Sequence, residues 1–306
     1  VNGLDMETLR RWIQILWLFL SNGYWGFPWS GTLYQGPLKV LCSPGLNCYS
    51  CPASTTFCPI GSLQQLLLGV RMSLQAGQYH LGTYVLGSMG LLGALFGRLL
   101  CGWACPFGLV QEWLHRIPSP TFAVPRVLGW GKYLVLLLLV LVLPLVVVDE
   151  FGMGKPWFCT YLCPAGTLEA GIPMLLLSPD LRPAAGLLYG YKLALLASLL
   201  LWSIVASRPF CRTLCPLGAF YGLLNRYSLI QLKFTADACT KCGACHRVCP
   251  VGVRVDESPN SAECIRCLRC CTECRQQALS LDIAGHTLSL AARTSPDPSC
   301  NQGARS

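Results

Sequence analysis

Twenty of the 306 residues are cysteine, and most of them fall in short, regular runs. From Asp237 onward the spacing is Cys239-x2-Cys242-x2-Cys245-x3-Cys249-Pro250, followed by Cys264-x2-Cys267-x2-Cys270-x3-Cys274. Two such runs carry the spacing of a bacterial two-cluster iron–sulfur domain, in which the fourth cysteine of each run crosses to the other cluster. The spacing therefore predicts one 4Fe-4S cluster (A) on Cys239, Cys242, Cys245 and Cys274, and a second (B) on Cys264, Cys267, Cys270 and Cys249. Structural zinc is the competing chemistry for C-x2-C pairs, and the doubled, interlocked run disfavours it. The second run departs from the pattern, with Arg275 where the first has Pro250 and an additional Cys271 beside a ligand.

A second kind of unit occurs four times upstream. Aligned on a Cys-Pro step, the copies read Cys58-Pro-Ile-Gly-Ser-Leu-Gln, Cys105-Pro-Phe-Gly-Leu-Val-Gln, Cys163-Pro-Ala-Gly-Thr-Leu-Glu and Cys215-Pro-Leu-Gly-Ala-Phe-Tyr. The last three carry another cysteine four residues earlier, at Cys101, Cys159 and Cys211; the first has Ser54 there and offers Cys51. Proline is tolerated at the first position of a helix, so each unit reads as a thiol at a helix N-terminus, where negative charge is favoured. A C-x3-C pair supplies two soft ligands, half of what an iron–sulfur cluster needs. The bland alternative, a helix break lined by small buried thiols, suits one copy better than four.

These units need elements to hold them. The chain is 53% hydrophobic and only 12% charged, which is membrane composition. Apolar segments at Trp12 to Trp29, Leu81 to Gly97, Val127 to Val148 and Leu187 to Ala206 predict four transmembrane spans, each followed by one unit. Pro144 predicts a kink in the third. The expected class is mostly α: residues 1-232 as a four-span domain with re-entrant Cys-Pro half-helices, 233-292 as an α+β two-cluster ferredoxin domain, and 293-306 as a disordered tail holding Cys300 as a free thiol. No cleavable leader is evident. The formal charge of +9 sits in loops between apolar segments rather than on an aromatic-interleaved basic face, so nucleic acid is not an expected partner.

Lysine and arginine gather before the first span, in the second loop and after the fourth span. The positive-inside rule then places both termini in the cytoplasm of a multi-pass inner-membrane protein, with units two and four inward and units one and three outward. On that topology Cys101, Cys105, Cys211 and Cys215 share an inner cluster. Cys159 and Cys163 share an outer one with Cys51 and Cys58, for which Cys48 or Cys42 are substitutes.

The four spans, the C-x3-C-Pro units, the stretch Arg208-Pro-Phe-Cys211-Arg-Thr-Leu-Cys215-Pro-Leu-Gly-Ala-Phe-Tyr221 and the terminal double run together resemble the NapH-like family. This is the membrane quinol-dehydrogenase subunit of periplasmic nitrate reductase systems; the resemblance extends to the membrane regulator of nitrous oxide reduction and the cytochrome oxidase accessory protein CcoG. It runs from about Leu81 and is strongest from Cys211 to Cys274. It implies electron transfer between the quinone pool and other subunits of a redox complex, with the ferredoxin domain cytoplasmic. In the nitrate-reductase type the matching pairs are Cys101/Cys105 and Cys211/Cys215, so Cys159/Cys163 and the cysteines of the first loop point to a further centre.

The leading expectation is an electron-transfer subunit in membrane lipid, with two clusters in the ferredoxin domain and one or two in the membrane domain. No nucleophile-base pair, phosphate loop or dinucleotide fingerprint stands in the chain. Glu112 and His115, one turn apart after unit two, are placed to exchange protons with a quinone, against the simpler reading of a polar helix face; Asp149, Glu150 and Glu169 are the counterparts on the other side. The alternative function is a reductase or assembly factor for copper or another soft metal, of the CcoG type.

Overall fold

The computed structural model describes residues 6–30, 32–75, 77, 82–149 and 154–290. The tail with Cys300, and Glu150, lie outside these described residues.

Among the described residues two helices are long and apolar enough to cross a membrane, Arg126–Val146 with mean hydropathy 2.1 and Leu187–Val205 with 1.6. The first two expected spans fold as shorter helices. Met6–Ser21 has 16 residues and Thr83–Phe96 has 14. At about 1.5 Å per residue they reach roughly 24 and 21 Å, less than the ~30 Å of a hydrocarbon core. The helix expected to run from Trp12 to Trp29 begins earlier and stops at Ser21, where Ser21-Asn22-Gly23 turns the chain.

The burial pattern of Met6–Ser21 is inverted. Arg10, Gln14 and Ser21 are buried, whereas Trp12, Leu16, Phe19 and Leu20 are exposed. The buried polar stripe has a destination, because Arg10 Nη1 and Gln14 Nε2 both donate to the Gly102 carbonyl, at 3.0 and 2.8 Å. Arg126–Val146 repeats the inversion, with Lys132 buried and Trp130 and Leu134 outward. Its middle, Leu136–Val142, winds as a π-helix just before Pro144. Proline has no N–H to give, so the Leu139 carbonyl five residues earlier takes the Gln64 side chain instead, at 2.9 Å.

Short helices follow each Cys-Pro step: Pro59–Gln75, Pro106–Leu114, Pro164–Leu177 and Pro216–Leu224. Cys163 and Cys215 act as N-caps whose sulfurs accept from Gly166 N and Gly218 N, each at 3.4 Å. The ligand runs at the chain's end are bracketed by an antiparallel sheet in the order β1 (Ile230–Phe234), β2 (Leu279–Ile283), β3 (His286–Leu288). Leu232 and Leu281 are paired partners and both are buried, which fixes the register.

This terminal lobe is stitched to the helices by the segment Ser261 to Arg266. Asn225 Nδ2 donates to the Ser261 and Cys264 carbonyls at 2.7 and 3.0 Å, and Trp103 Nε1 donates to the Arg266 carbonyl at 3.0 Å. Gly102 permits the approach, since a Cβ there would lie 2.5 Å from the Ile265 carbonyl oxygen.

Candidate iron–sulfur centres

In the terminal lobe, Cys239, Cys242, Cys245 and Cys274 line one cavity of about 570 Å³. Cys264 has Cys267, Cys270 and Cys249 as its electrostatic neighbours, so the fourth cysteine of each run stands with the first three of the other. Left-handed backbone at Lys241, Gly243, Arg266 and Leu268 turns both runs tightly. Cys271 is buried beside Cys270.

Next to this lobe, Cys101, Cys105, Cys211 and Cys215 form a proximal group. Cys215 neighbours the other three, and Cys105 neighbours Cys101 and Cys211. All four are buried.

The two units exchange arginines. Arg98 and Arg208 each stand three residues before the first cysteine of their own unit, and both are fully buried. Arg208 Nη1 donates to the Cys101 carbonyl at 2.6 Å, and Arg98 Nη2 donates to the Cys211 carbonyl at 3.1 Å. The glycines after the second and fourth Cys-Pro steps pack against these arginines. A Cβ at Gly108 would come 3.3 Å from Arg208 Nη1, and one at Gly218 3.2 Å from Arg98 Nη2. The arginine charges are in turn held by carboxylates. Glu112 bridges Arg208 and Arg10 at 2.7 and 2.8 Å, and Glu263 pairs with Arg98 and Lys132. Glu112 is thus a buried counter-ion, and His115 Nδ1 engages the Ile204 carbonyl at 3.0 Å; neither stands free on a polar helix face.

A distal group lines a cavity of about 740 Å³ and consists of Cys48, Cys58, Cys159 and Cys163. Cys51 is not in that wall; its sulfur faces Asn22 Oδ1 at 3.7 Å. Cys48 therefore stands where the repeat pattern had pointed to Cys51. The exchange between units recurs here, with Glu169 Oε2 accepting from Cys48 N at 2.7 Å and Gln64 Oε1 accepting from Cys159 N at 3.4 Å. Gly166 adjoins both thiols, since a Cβ there would lie in ordinary contact with the Cys163 and Cys48 sulfurs, 3.7 Å from each. No sequence rule marks Cys48, although the Glu169 and Gln64 positions share one offset from Cys-Pro and were visible as such. Asp149 does not line this cavity.

Among the described residues no cysteine is in a disulfide, and no three His, Cys, Asp or Glu side chains close on one point as a single ion requires.

A family model for a 4Fe-4S binding domain matches residues 56–74, 84–125, 133–172 and 192–236, and a second 4Fe-4S binding model matches 232–255. An uncharacterized protein of Methanocaldococcus jannaschii, MJ0750, is 31% identical over 201 residues, 63% of this chain and 76% of that protein. The ferredoxin-type protein NapH of Haemophilus influenzae is 28% identical over 289 residues, 87% of this chain and 84% of NapH. The chain belongs to the NapH-like ferredoxin-type family. The methylamine utilization ferredoxin-type protein MauN of Paracoccus denitrificans is 32% identical over 171 residues, 55% of this chain and 53% of MauN. No solved structure matches the chain. The four stretches matched by the first 4Fe-4S binding model include Cys58, Cys101/Cys105, Cys159/Cys163 and Cys211/Cys215.

Proposed function

We propose that this NapH-like chain is a membrane-embedded electron-transfer subunit with four 4Fe-4S clusters in series: distal, proximal, B and A. The observation that carries this reading is the placement of the Cys264 segment. Asn225 and Arg98, which frame the proximal thiols, bond directly to Cys264, Ala262 and Glu263, so cluster B lies against the proximal site. Electron exchange weakens steeply with distance, and a chain of adjacent centres is the arrangement it needs. The outward apolar faces of Met6–Ser21 and Arg126–Val146 support embedding in lipid, and the distribution of arginines supports a cytoplasmic terminal lobe. The Cys-Pro helices dip inward as re-entrant elements, tolerated because their irregular backbone is buried in protein.

The bound clusters supply one-electron chemistry; the chain's residues supply position and charge. Arg98 and Arg208 offset the thiolates, and Glu112 and Glu263 balance the arginines. Quinone is the fitting small-molecule partner, in the cavity of about 670 Å³ between Arg126–Tyr133 and Val251–Glu263. Trp130, Tyr133 and Leu223 give it an apolar wall. Further subunits of a redox complex would contact the exposed lobe.

The test is an iron and acid-labile sulfide count on anaerobically purified protein with paramagnetic resonance of the reduced state. Four clusters are expected. A protein with only the two of the terminal lobe would overturn the series.

A further inference from the structure

Three of the four units begin with a C-x3-C pair, and in each the backbone carbonyl of the first cysteine accepts from a cationic side chain. The Cys101 carbonyl takes Arg208 Nη1 at 2.6 Å, and the Cys211 carbonyl takes Arg98 Nη2 at 3.1 Å. At the distal site the Cys159 carbonyl takes Lys192 Nζ, also at 3.1 Å. The first unit has no such pair, and the Cys48 carbonyl accepts from a neutral donor, Cys51 N, at 3.1 Å. The proximal thiols therefore have two cations on the backbone that carries them, and the distal thiols have one.

Lys192 belongs to the membrane-crossing helix Leu187–Val205 and lies roughly 8 Å of helix beyond Leu187. A charge inside a span is costly, and a lysine there ordinarily runs its stem to the interface. Here the ammonium is committed to the protein instead. Lys192 is half-buried and stands in the wall of the distal cavity with Cys48, Cys58, Cys159 and Cys163. Among the described residues of that wall it is the sole cation, and no carboxylate accompanies it. Arg98 and Arg208, by contrast, have Glu263 and Glu112 at ion-pair distance. Glu169 lies outside the wall and accepts from Cys48 N.

We propose that Lys192 is the counter-charge of the distal centre, a positioning residue that binds no iron, steadies Cys159 and raises the reduction potential of the distal cluster. The assignment rests on the distal thiols holding a cluster. An added electron makes such a centre more negative, and a cation beside it in a low-dielectric interior favours that state. The electron is one exchanged with the proximal cluster; at Lys192 no bond forms or breaks and no proton moves.

The experiment is a redox titration of the full-length, anaerobically purified protein followed by paramagnetic resonance, comparing wild type, Lys192→Gln and Lys192→Arg. The distal signal is assigned as the one missing from Cys48→Ser. Lys192→Gln should shift the distal potential downward and leave the proximal, A and B potentials where they are, whereas Lys192→Arg, which keeps the charge, should reverse most of the shift. A distal potential in Lys192→Gln equal to that of wild type would overturn the assignment and leave the four-cluster series standing. Equal downward shifts in both variants would also overturn it, since the effect would then follow side-chain shape and not charge. Should Lys192→Gln fail to hold the distal iron, retention of that iron by Lys192→Arg supports the counter-charge, and its loss from both sinks it. Absence of a distal signal from wild type would remove the series and this assignment together.

Discussion

Leu46 and Asn47 are adjacent in the chain, yet their backbone amides face different centres: Leu46 the Cys105 sulfur of the proximal group and Asn47 the Cys58 sulfur of the distal group. Two successive residues thereby lie between the two sets of thiols. Gly45 makes this possible, because a Cβ there would lie 2.6 Å from Cys105 Cα and 2.9 Å from the Ala104 carbonyl oxygen. Both are backbone atoms with no room to yield. Gly45→Ala should push the loop away and weaken both centres together, read as parallel losses of proximal and distal iron. Loss from only one would show that the bridge is not shared.

Crossed ligation in the terminal lobe predicts an asymmetric result for Cys249→Ala. Cluster B should disappear, because Cys249 neighbours Cys264, while most of cluster A survives in the cavity of Cys239, Cys242, Cys245 and Cys274. Paramagnetic resonance of the reduced protein distinguishes the two, and loss of A with retention of B would reverse the pairing.

At the distal site, Cys48→Ser and Cys51→Ser should behave differently. The first removes a wall residue of the cavity and should cost the distal cluster; the second changes a sulfur that faces Asn22 and should leave the iron content near that of wild type. The opposite ranking would return the site to Cys51.

Glu112 holds two fully buried guanidiniums, Arg10 and Arg208. Glu112→Ala takes the counter-ion from Arg208 and leaves Arg10 with Glu7 alone, and should destabilise the fold by about 3–5 kcal/mol, seen as a lowered unfolding midpoint in detergent. Glu112→Gln keeps the hydrogen-bonding oxygen and should fall between.

Glu7 ties the first helix to the terminal lobe through Arg269, at 2.6 Å. Burial raises its pKa, but the Arg269 and Arg10 guanidiniums outweigh this and hold the carboxyl down to about 2, from an ordinary 4.5. A carboxylate depressed in the folded state contributes stability that is complete above the unfolded pKa and is lost as pH falls through the folded one. The stability advantage of wild type over Glu7→Gln should therefore be full above pH 4.5 and shrink toward pH 2. A gap independent of pH over that window would rule out the ionised pair as its source.

How much of this was readable beforehand differs by site. Within the terminal lobe and the proximal units, ligand grouping follows from short, local spacing, because three or four residues of chain leave the thiols little freedom. The distal group is different. Cys48 lies ten residues before Cys58 in an irregular loop, and only tertiary contacts, chiefly Glu169 on its amide, bring it to Cys159 and Cys163. Hydropathy also overestimated the first helix, since it counts apolar residues without seeing that Arg10, Gln14 and Ser21 form a stripe committed to the interior. The membrane-crossing length of Leu187–Val205 was legible because nothing polar interrupts it after Lys192 until Ser198.

The arginine exchange has an implication for ancestry. Residues 48 to 111 carry one distal and one proximal unit, and residues 159 to 221 carry the same pair again, with Arg98 and Arg208, and Gln64 and Glu169, reaching in opposite directions between them. Such reciprocity is the signature of an isologous contact. A peptide of half this length, associating with an identical copy, would close both four-thiol sites with no residue borrowed from elsewhere. The present chain has the layout of a homodimer joined end to end, but one sequence in two environments permits what two identical subunits would forbid: Gln111 in one half against Tyr221 in the other, and Glu112 against Gly222.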